Sequence, residues 1–311
     1  MTALLEIAAA RIDQDGVPLI EGLSLTAMGS TLGLVGDFHG LFSLLGGTAD
    51  LVTGQVSVLG HEAERAVAAG VVGVARAEFA LPETWNLDRY LIEGARLGGV
   101  NRREASQAVG ALLGRLALTH LATRRLSTLT LGEQRSVGIA LALLDSPAVL
   151  AVEDPTLSLD DRGVELICGV IGRAREGRHL LVSSRALPRS GPEHALFEGA
   201  DEVIVLTAGA LVGRGPLSFF EAPGHRYLVS VLRGGGPLVE RLESAGLEVA
   251  IANPSGQFVP VTGGAGSDTA EAARLVVSVP EAGTTDAIVE AALQVGAPIV
   301  ELLPLPSLRS A

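Results

Sequence analysis

Hydrophobic positions in the first two-thirds of the chain fall into short continuous apolar runs and into stretches where apolar residues recur every three or four positions. The runs predict buried strands and the stretches predict helices packed on them. Two short strands are expected at residues 4–9 and 19–25, separated by the turn Asp13-Gln14-Asp15-Gly16. The continuous apolar run 31–35 predicts a buried strand leading into GDFHGLFSLLGG (residues 36–47), which reads as strand, loop, helix. Strands at 54–59 and 70–74 follow, then helical patterns from about 87 to 124, where LIEGARLG and EASQAVGALLGRL carry the three-to-four spacing. A helix running to about residue 144, an apolar strand at 148–152, a helix at 163–175 and a strand at 179–183 complete the alternation. Segments 202–206 and 211–215 read as a closing hairpin.

From about residue 223 the pattern changes to strand 226–232, helix 238–245, strand 247–252, a Gly/Ser-rich loop at 263–267, strand 274–279, helix 284–294 and strand 298–303. Two strand-helix-strand units in tandem predict a small α+β domain of ferredoxin-like type. The expected division is therefore 1–222, with a helical subdomain at about 80–145, and 223–311.

Composition narrows the function. With 48% apolar but only 3% aromatic residues, the core must be built from Ala, Val, Leu and Ile, which suits parallel sheet covered by helices. The net charge of −12 opposes binding to nucleic acid. The single cysteine, Cys168, cannot form an intramolecular disulfide, and no signal-like segment opens the chain, so a reducing cytoplasm is expected. No apolar run approaches the roughly 18–20 residues that span a bilayer. The six histidines show no metal-ligand spacing, and no metal is expected. Every permanently charged basic side chain is arginine, because the sequence has no lysine.

The most legible stretch is LTLGEQRSVGIALALLDSPAVLAVEDPTLSLD, residues 129–160. A Thr-Leu-Gly-Glu loop (Thr130, Leu131, Gly132, Glu133) opens a helix, an apolar strand ends in Glu153-Asp154-Pro155-Thr156, and Ser158-Leu159-Asp160 follows. Upstream, a strand enters a glycine loop, and Leu44-Leu45-Gly46-Gly47 precedes Thr53-Gly54-Gln55-Val56. In this order and spacing the residues resemble the nucleotide-binding domains of ABC transporters, with their P-loop, signature loop, Walker B strand and D-loop. The resemblance covers residues 1 to about 220, and the tail from Arg226 is similar to the small C-terminal domain of ABC-2 exporter ATP-binding subunits. It implies an α/β fold: a P-loop-NTPase-like ABC ATPase domain with a helical subdomain, plus the small α+β domain.

The resemblance also implies a damaged phosphate site. A working P-loop needs glycines for close backbone approach, a lysine on the β and γ oxygens and a hydroxyl on Mg²⁺. Gly36, Gly40 and Ser43 are its remnants here, the loop is about four residues short, and Phe42 lies near the expected lysine. The lost charge-assisted contact is of order 1.5–3 kcal/mol even as a simple hydrogen bond. Walker B is expected to end Asp-Glu but reads Glu153-Asp154, exchanging the reach of the two carboxylates. Arg185 replaces the switch histidine, no glutamine stands near residues 75–77, and no adenine-stacking aromatic stands near residues 12–13.

The signature side is better preserved. Thr130, Leu131, Gly132 and Glu133, with Ser158 and Asp160, are implied to face the ATP and Mg²⁺ of a partner's site, the helix dipole directed at the phosphate. The implied partners are a homologous ATP-binding subunit and an integral membrane permease, which places the chain on the inner face of the cell membrane. Plainer readings stand beside these. Gly36 and Gly40 make a tight turn without ligand, Glu153 and Asp154 terminate a strand, and Thr130 and Gly132 belong to a helix N-cap. A scaffold that uses no nucleotide is the alternative function, and Trp85, in ALPETWNLDRYL, is either a permease contact or ordinary packing.

Overall fold

The computed structural model of the chain describes residues 2–207, 210–221, 225–252, 258–260, 273–280 and 285–304. They fall into two compact units, Met1–Gly209 and Ala210–Ala311. The Gly/Ser-rich segment 263–267 lies outside the described residues.

The first unit opens with β1 (Leu5–Gln14), β2 (Val17–Ala27), β3 (Thr31–Gly36), α1 (His39–Leu45), β4 (Asp50–Val58), β5 (His61–Glu62), α2 (Ala63–Ala68) and β6 (Val72–Ala75). It continues with α3 (Leu87–Leu97), α4 (Arg102–Arg115), α5 (Leu131–Ala142), β7 (Val149–Val152), α6 (Asp161–Ala174), β8 (His179–Ser184), α7 (Gly191–Glu198) and β9 (Glu202–Thr207).

Five of these strands form a parallel sheet in the order β9-β3-β8-β7-β6. Its strands are apolar runs rather than alternating ones because both faces are covered: all four residues of β7 are buried, and so are Leu180 to Ser184 of β8. Leu32, Leu34, Leu150, Leu181, Val170 and Ile171 are fully buried. Each such side chain contributes roughly 1.5–3 kcal/mol relative to exposure. The register sets Ala75 beside Val152, Val152 beside Val182 and Val35 beside Ser184. The carboxyl ends of β6, β7, β8 and β3 therefore open on one edge, the usual ligand edge of such sheets.

The other sheet of this unit is antiparallel, in the order β2-β1-β4-β5. Its first hairpin turns through Asp15 and Gly16, both left-handed (φ +51° and +79°), which is the two-residue turn that matches strand twist. The first strand extends past the expected stop at Ala9. Ala9 has φ +46° and the register with β2 shifts between Ile7 and Ala10, so a bulge breaks the alternation without ending the strand. The helical insertion comprises α3 and α4; Asn101 caps α4 by accepting from the Glu104 backbone N–H at 3.0 Å.

The second unit contains β10 (Ala210–Gly215), α8 (Leu217–Glu221), β11 (His225–Val231), α9 (Gly235–Ser244), β12 (Glu248–Ala252), β13 (Phe258–Pro260), β14 (Ala273–Val279), α10 (Asp286–Val295) and β15 (Ile299–Pro304). Its antiparallel sheet runs β13-β12-β14-β11-β15. Without the short β13, the chain order β-α-β-β-α-β and the neighbour order β12-β14-β11-β15 are those of a ferredoxin-like domain. Val229, Leu238, Leu242, Leu275, Val277 and Ile288 form its core.

Candidate functional site

The candidate site lies on the carboxyl edge of the parallel sheet. At its centre β3 ends in Gly36, whose φ is +92° and where a Cβ would collide with the carbonyl oxygen of Leu206. A glycine is thus required there by β9 alone. Only Asp37 and Phe38 separate Gly36 from His39, the first residue of α1. Gly40 lies inside the helix against β2, where a Cβ would stand 2.9 Å from Leu19 Cβ. Phe42 is fully buried one turn into α1 rather than in the loop, and Phe38 is fully buried at its N-cap. Two of the three expected P-loop remnants therefore serve packing, and only Ser43 turns a polar atom to the site.

That atom belongs to a network centred on Glu153, which follows β7 and is 3% exposed. Arg76, which follows β6 and is 19% exposed, donates from Nε to Glu153 Oε2 at 2.6 Å. Its Nη1 donates to Thr48 Oγ1 at 2.8 Å and its Nη2 to Ser43 Oγ at 3.1 Å. The backbone N–H of Ala77 adds a bond to Oε2 at 3.2 Å. On the other carboxylate oxygen, His39 Nδ1 lies 2.6 Å from Oε1, and its Nε2 lies 3.3 Å from Ser43 Oγ. A carboxylate this deep is unfavourable unless paired and hydrogen-bonded, and here both oxygens are engaged.

Asp154, the next residue, has separate partners. It sits at φ +38°, its N–H donates to Ser183 Oγ at 2.9 Å, and that hydroxyl donates to Asp154 Oδ1 at 2.8 Å. Arg185 Nε lies 3.3 Å from Oδ2, with its side chain 69% exposed. Beneath them the buried Arg135 donates from Nη1 to the carbonyls of Asp154 and Pro155, at 3.0 and 2.8 Å. Burial pulls the Arg135 pKa below its ordinary value, and the Asp154 and Glu78 charges oppose that shift. Glu153, Asp154 and Arg185, singled out from sequence, are thus brought together at one edge.

At the head of α5, Thr130 and Glu133 form a capping box. Thr130 Oγ1 accepts from the Glu133 N–H at 3.3 Å, and Glu133 Oε2 accepts from the Thr130 N–H at 2.8 Å. The other Glu133 oxygen receives Arg124 Nη1 at 2.6 Å. Gly132 is buried, and a Cβ on it would stand 2.9 Å from Gly163 Cα of α6. Leu131 remains 42% exposed. Ser158 takes a left-handed turn at φ +60°, and Asp160 caps α6 by accepting from the Gly163 N–H at 2.8 Å.

Sequence reasoning passed over Arg76, His39, Thr48, Ser183 and Arg135. Arg76 carries a signal in the sequence: an arginine between two alanines, directly after a buried strand, in the segment where the resemblance implies a glutamine. No group of three or more His, Cys, Asp or Glu side chains able to hold a metal exists among the described residues.

No family model matches the chain. It is 34% identical over 123 residues to ABC transporter G family member 4 of Arabidopsis thaliana, covering 39% of this chain and 21% of that protein. It is 32% identical over 146 residues to the molybdenum import ATP-binding protein ModC of Brucella suis, covering 46% of this chain and 38% of that protein. The matches thus span well under half the length of these relatives. In fold it is similar to the solved structure of cbiO1 from Clostridium perfringens, part of the ABC transporter complex cbiONQ. That likeness has a TM-score of 0.59 at 18% identity, covering 70% of this chain and 90% of that one.

Proposed function

Because the chain is a relative of ABC transporter ATP-binding proteins and carries the ABC ATPase fold, we propose that it is a nucleotide-binding-domain subunit that does not hydrolyse ATP at its own site. It pairs with a second ATP-binding subunit and works beneath an integral membrane permease, on the inner face of the cell membrane. The observation that carries this reading is the Arg76 guanidinium on the Glu153 carboxylate, 2.6 Å away.

ATP and Mg²⁺, which the family uses, do not fit these residues. The two-residue link between Gly36 and His39 leaves no loop of backbone N–H groups to cradle a triphosphate. No lysine exists to meet it. Glu153, at the Walker B position, already has both oxygens engaged by Arg76, His39 and Ala77. An arginine does reach this position, but from beyond β6, and it is committed to a carboxylate rather than free for phosphate. ATP and Mg²⁺ therefore belong to the partner's site.

The part left to this chain is to supply the signature and D-loop side of that partner site. Thr130, Leu131, Gly132 and Glu133 open α5, with Ser158 and Asp160 at the adjacent turn, and Thr130, Leu131, Ser158 and Asp160 are exposed. Trp85 lies beneath the Arg89 guanidinium, 4.5 Å from its ring, and against Tyr90, contacts of ordinary packing. No described helix is long and apolar enough to cross a membrane. The test is ATP turnover of the assembled complex carrying Leu131→Glu, which sets a carboxylate where the partner's phosphate approaches. Turnover should fall at least tenfold with assembly intact, and unchanged turnover contradicts the reading.

One observation favours a second reading, a nucleotide-independent scaffold. Thr130, Gly132, Glu133 and Asp160 each have a complete structural role within their own unit. Isolation of a stable homodimer lacking both a competent partner and a permease would decide for that reading.

A further inference from the structure

We propose that the Arg76 guanidinium is a built-in substitute for a divalent cation, locking the carboxyl edge of the sheet into one closed state that needs no ligand. The inference rests on the reading that this chain's own site takes no nucleotide, and it adds what holds the site instead.

Three oxygen donors from separate elements converge on one cationic group. They are Glu153 Oε2 after β7 at 2.6 Å, Ser43 Oγ within α1 at 3.1 Å and Thr48 Oγ1 before β4 at 2.8 Å. A carboxylate and two hydroxyls are the donor set of a hard divalent cation. Here a planar guanidinium meets them through three different nitrogens, an arrangement a lysine ammonium could not reproduce in the same plane. The charge is needed because Glu153 is 3% exposed, and His39 at 2.6 Å from its second oxygen is itself 56% exposed and open to solvent. Unlike a metal ion, the guanidinium is tethered one residue beyond Ala75 at the end of β6 and cannot dissociate. An effector has nothing to displace, so α1, β6 and β7 stay joined at this edge without metal or nucleotide.

The test is thermal unfolding of the full chain with manganese chloride, with magnesium chloride and with EDTA, for wild type, Arg76→Gln, Glu153→Gln and the double variant. Wild type should melt at the same temperature in all three conditions. Arg76→Gln should melt roughly 5–10 °C lower, since it takes the guanidinium from a buried carboxylate and leaves it only His39 and the Ala77 N–H, and Mn²⁺ should restore part of the loss. The double variant, with no buried charge to neutralise, should recover stability and ignore Mn²⁺. If Arg76→Gln cannot be purified folded, the double variant must be, and failure of both overturns the proposal. So does a wild type that Mn²⁺ stabilises or EDTA weakens, or an Arg76→Gln chain indifferent to Mn²⁺. Tight binding of ATP with Mg²⁺ by wild type would instead sink the reading on which the inference rests. A nucleotide-inert wild type with a Mn²⁺-indifferent variant sinks the inference alone.

Discussion

Arg76 and Glu153 meet at 2.6 Å across the ends of neighbouring strands β6 and β7, although 77 positions separate them in the chain. The pair is unequal in depth, the carboxylate being the more buried partner. Removing the arginine takes the permanent cation from a buried carboxylate and leaves it only His39 and the Ala77 N–H, whereas removing the glutamate leaves a cation able to turn toward solvent and its hydroxyl partners. Arg76→Ala should therefore cost about 3–5 kcal/mol, as breaking a buried pair does, and Glu153→Ala less, about 1–3 kcal/mol. Urea unfolding of both variants checks the order. Equal losses would mean that the pair does not behave as a buried one.

Gly132 is a poor probe of the proposed signature loop, because it is held against Gly163 at a helix crossing. Gly132→Ala should destabilise the chain by about 1–3 kcal/mol through overpacking. Thr130→Ala should cost about 1 kcal/mol through loss of the capping box. Chemical denaturation of the isolated chain reads both. Wild-type stability in Gly132→Ala would show that α5 and α6 can separate there at no cost.

Cys168 lies on the buried face of α6, and burial first, with the Glu193 charge second, pushes its thiol up to about 12. The thiolate is the reactive form, so at neutral pH the native thiol should resist a disulfide reagent and react fully once urea unfolds the chain. Stoichiometric labelling of native protein within minutes would contradict this placement.

Asp201 pins the start of β3, accepting from the Ser30 N–H at 2.7 Å, the Thr31 N–H at 2.9 Å and the Ser30 hydroxyl at 2.9 Å. The Ser30 backbone bond first, then that of Thr31, pulls its pKa below the ordinary 3.8. A carboxyl that holds its proton less tightly when folded stabilises the fold above its unfolded pKa, and that contribution fades as pH falls through the lower, folded value. Because the group is largely exposed, the effect is about 1 kcal/mol. Asp201→Asn should melt below wild type at pH 7, and the difference should shrink as pH falls from 7 through the folded-state value. A constant difference across that range would remove the carboxylate from the account.

The elements were legible wherever periodicity alone defines them. The buried strands β3, β7 and β8 and the helix after Thr130 stand within one or two residues of their expected positions. The first strand was not, because the bulge at Ala9 interrupts the alternation that marks a strand. At the edge of the sheet, Ser43, Glu153 and Asp154 were picked out from motif order, and the absence of lysine from composition. The Arg76 contact was hidden, since the approach of residue 76 to residue 153 depends on strand order, which no local pattern encodes. The roles of Gly36 and Gly132 were obscured for a related reason: each glycine answers to a backbone atom far away in sequence, the Leu206 carbonyl and the Gly163 Cα.

The measurement that bears most directly on the account is a calorimetric titration of the isolated full-length chain with ATP in the presence of magnesium, repeated with EDTA. A closed carboxyl edge, with Arg76 on Glu153 and no loop before His39, predicts the same featureless dilution heats in both runs. A saturable isotherm that appears with magnesium and vanishes with EDTA would contradict it.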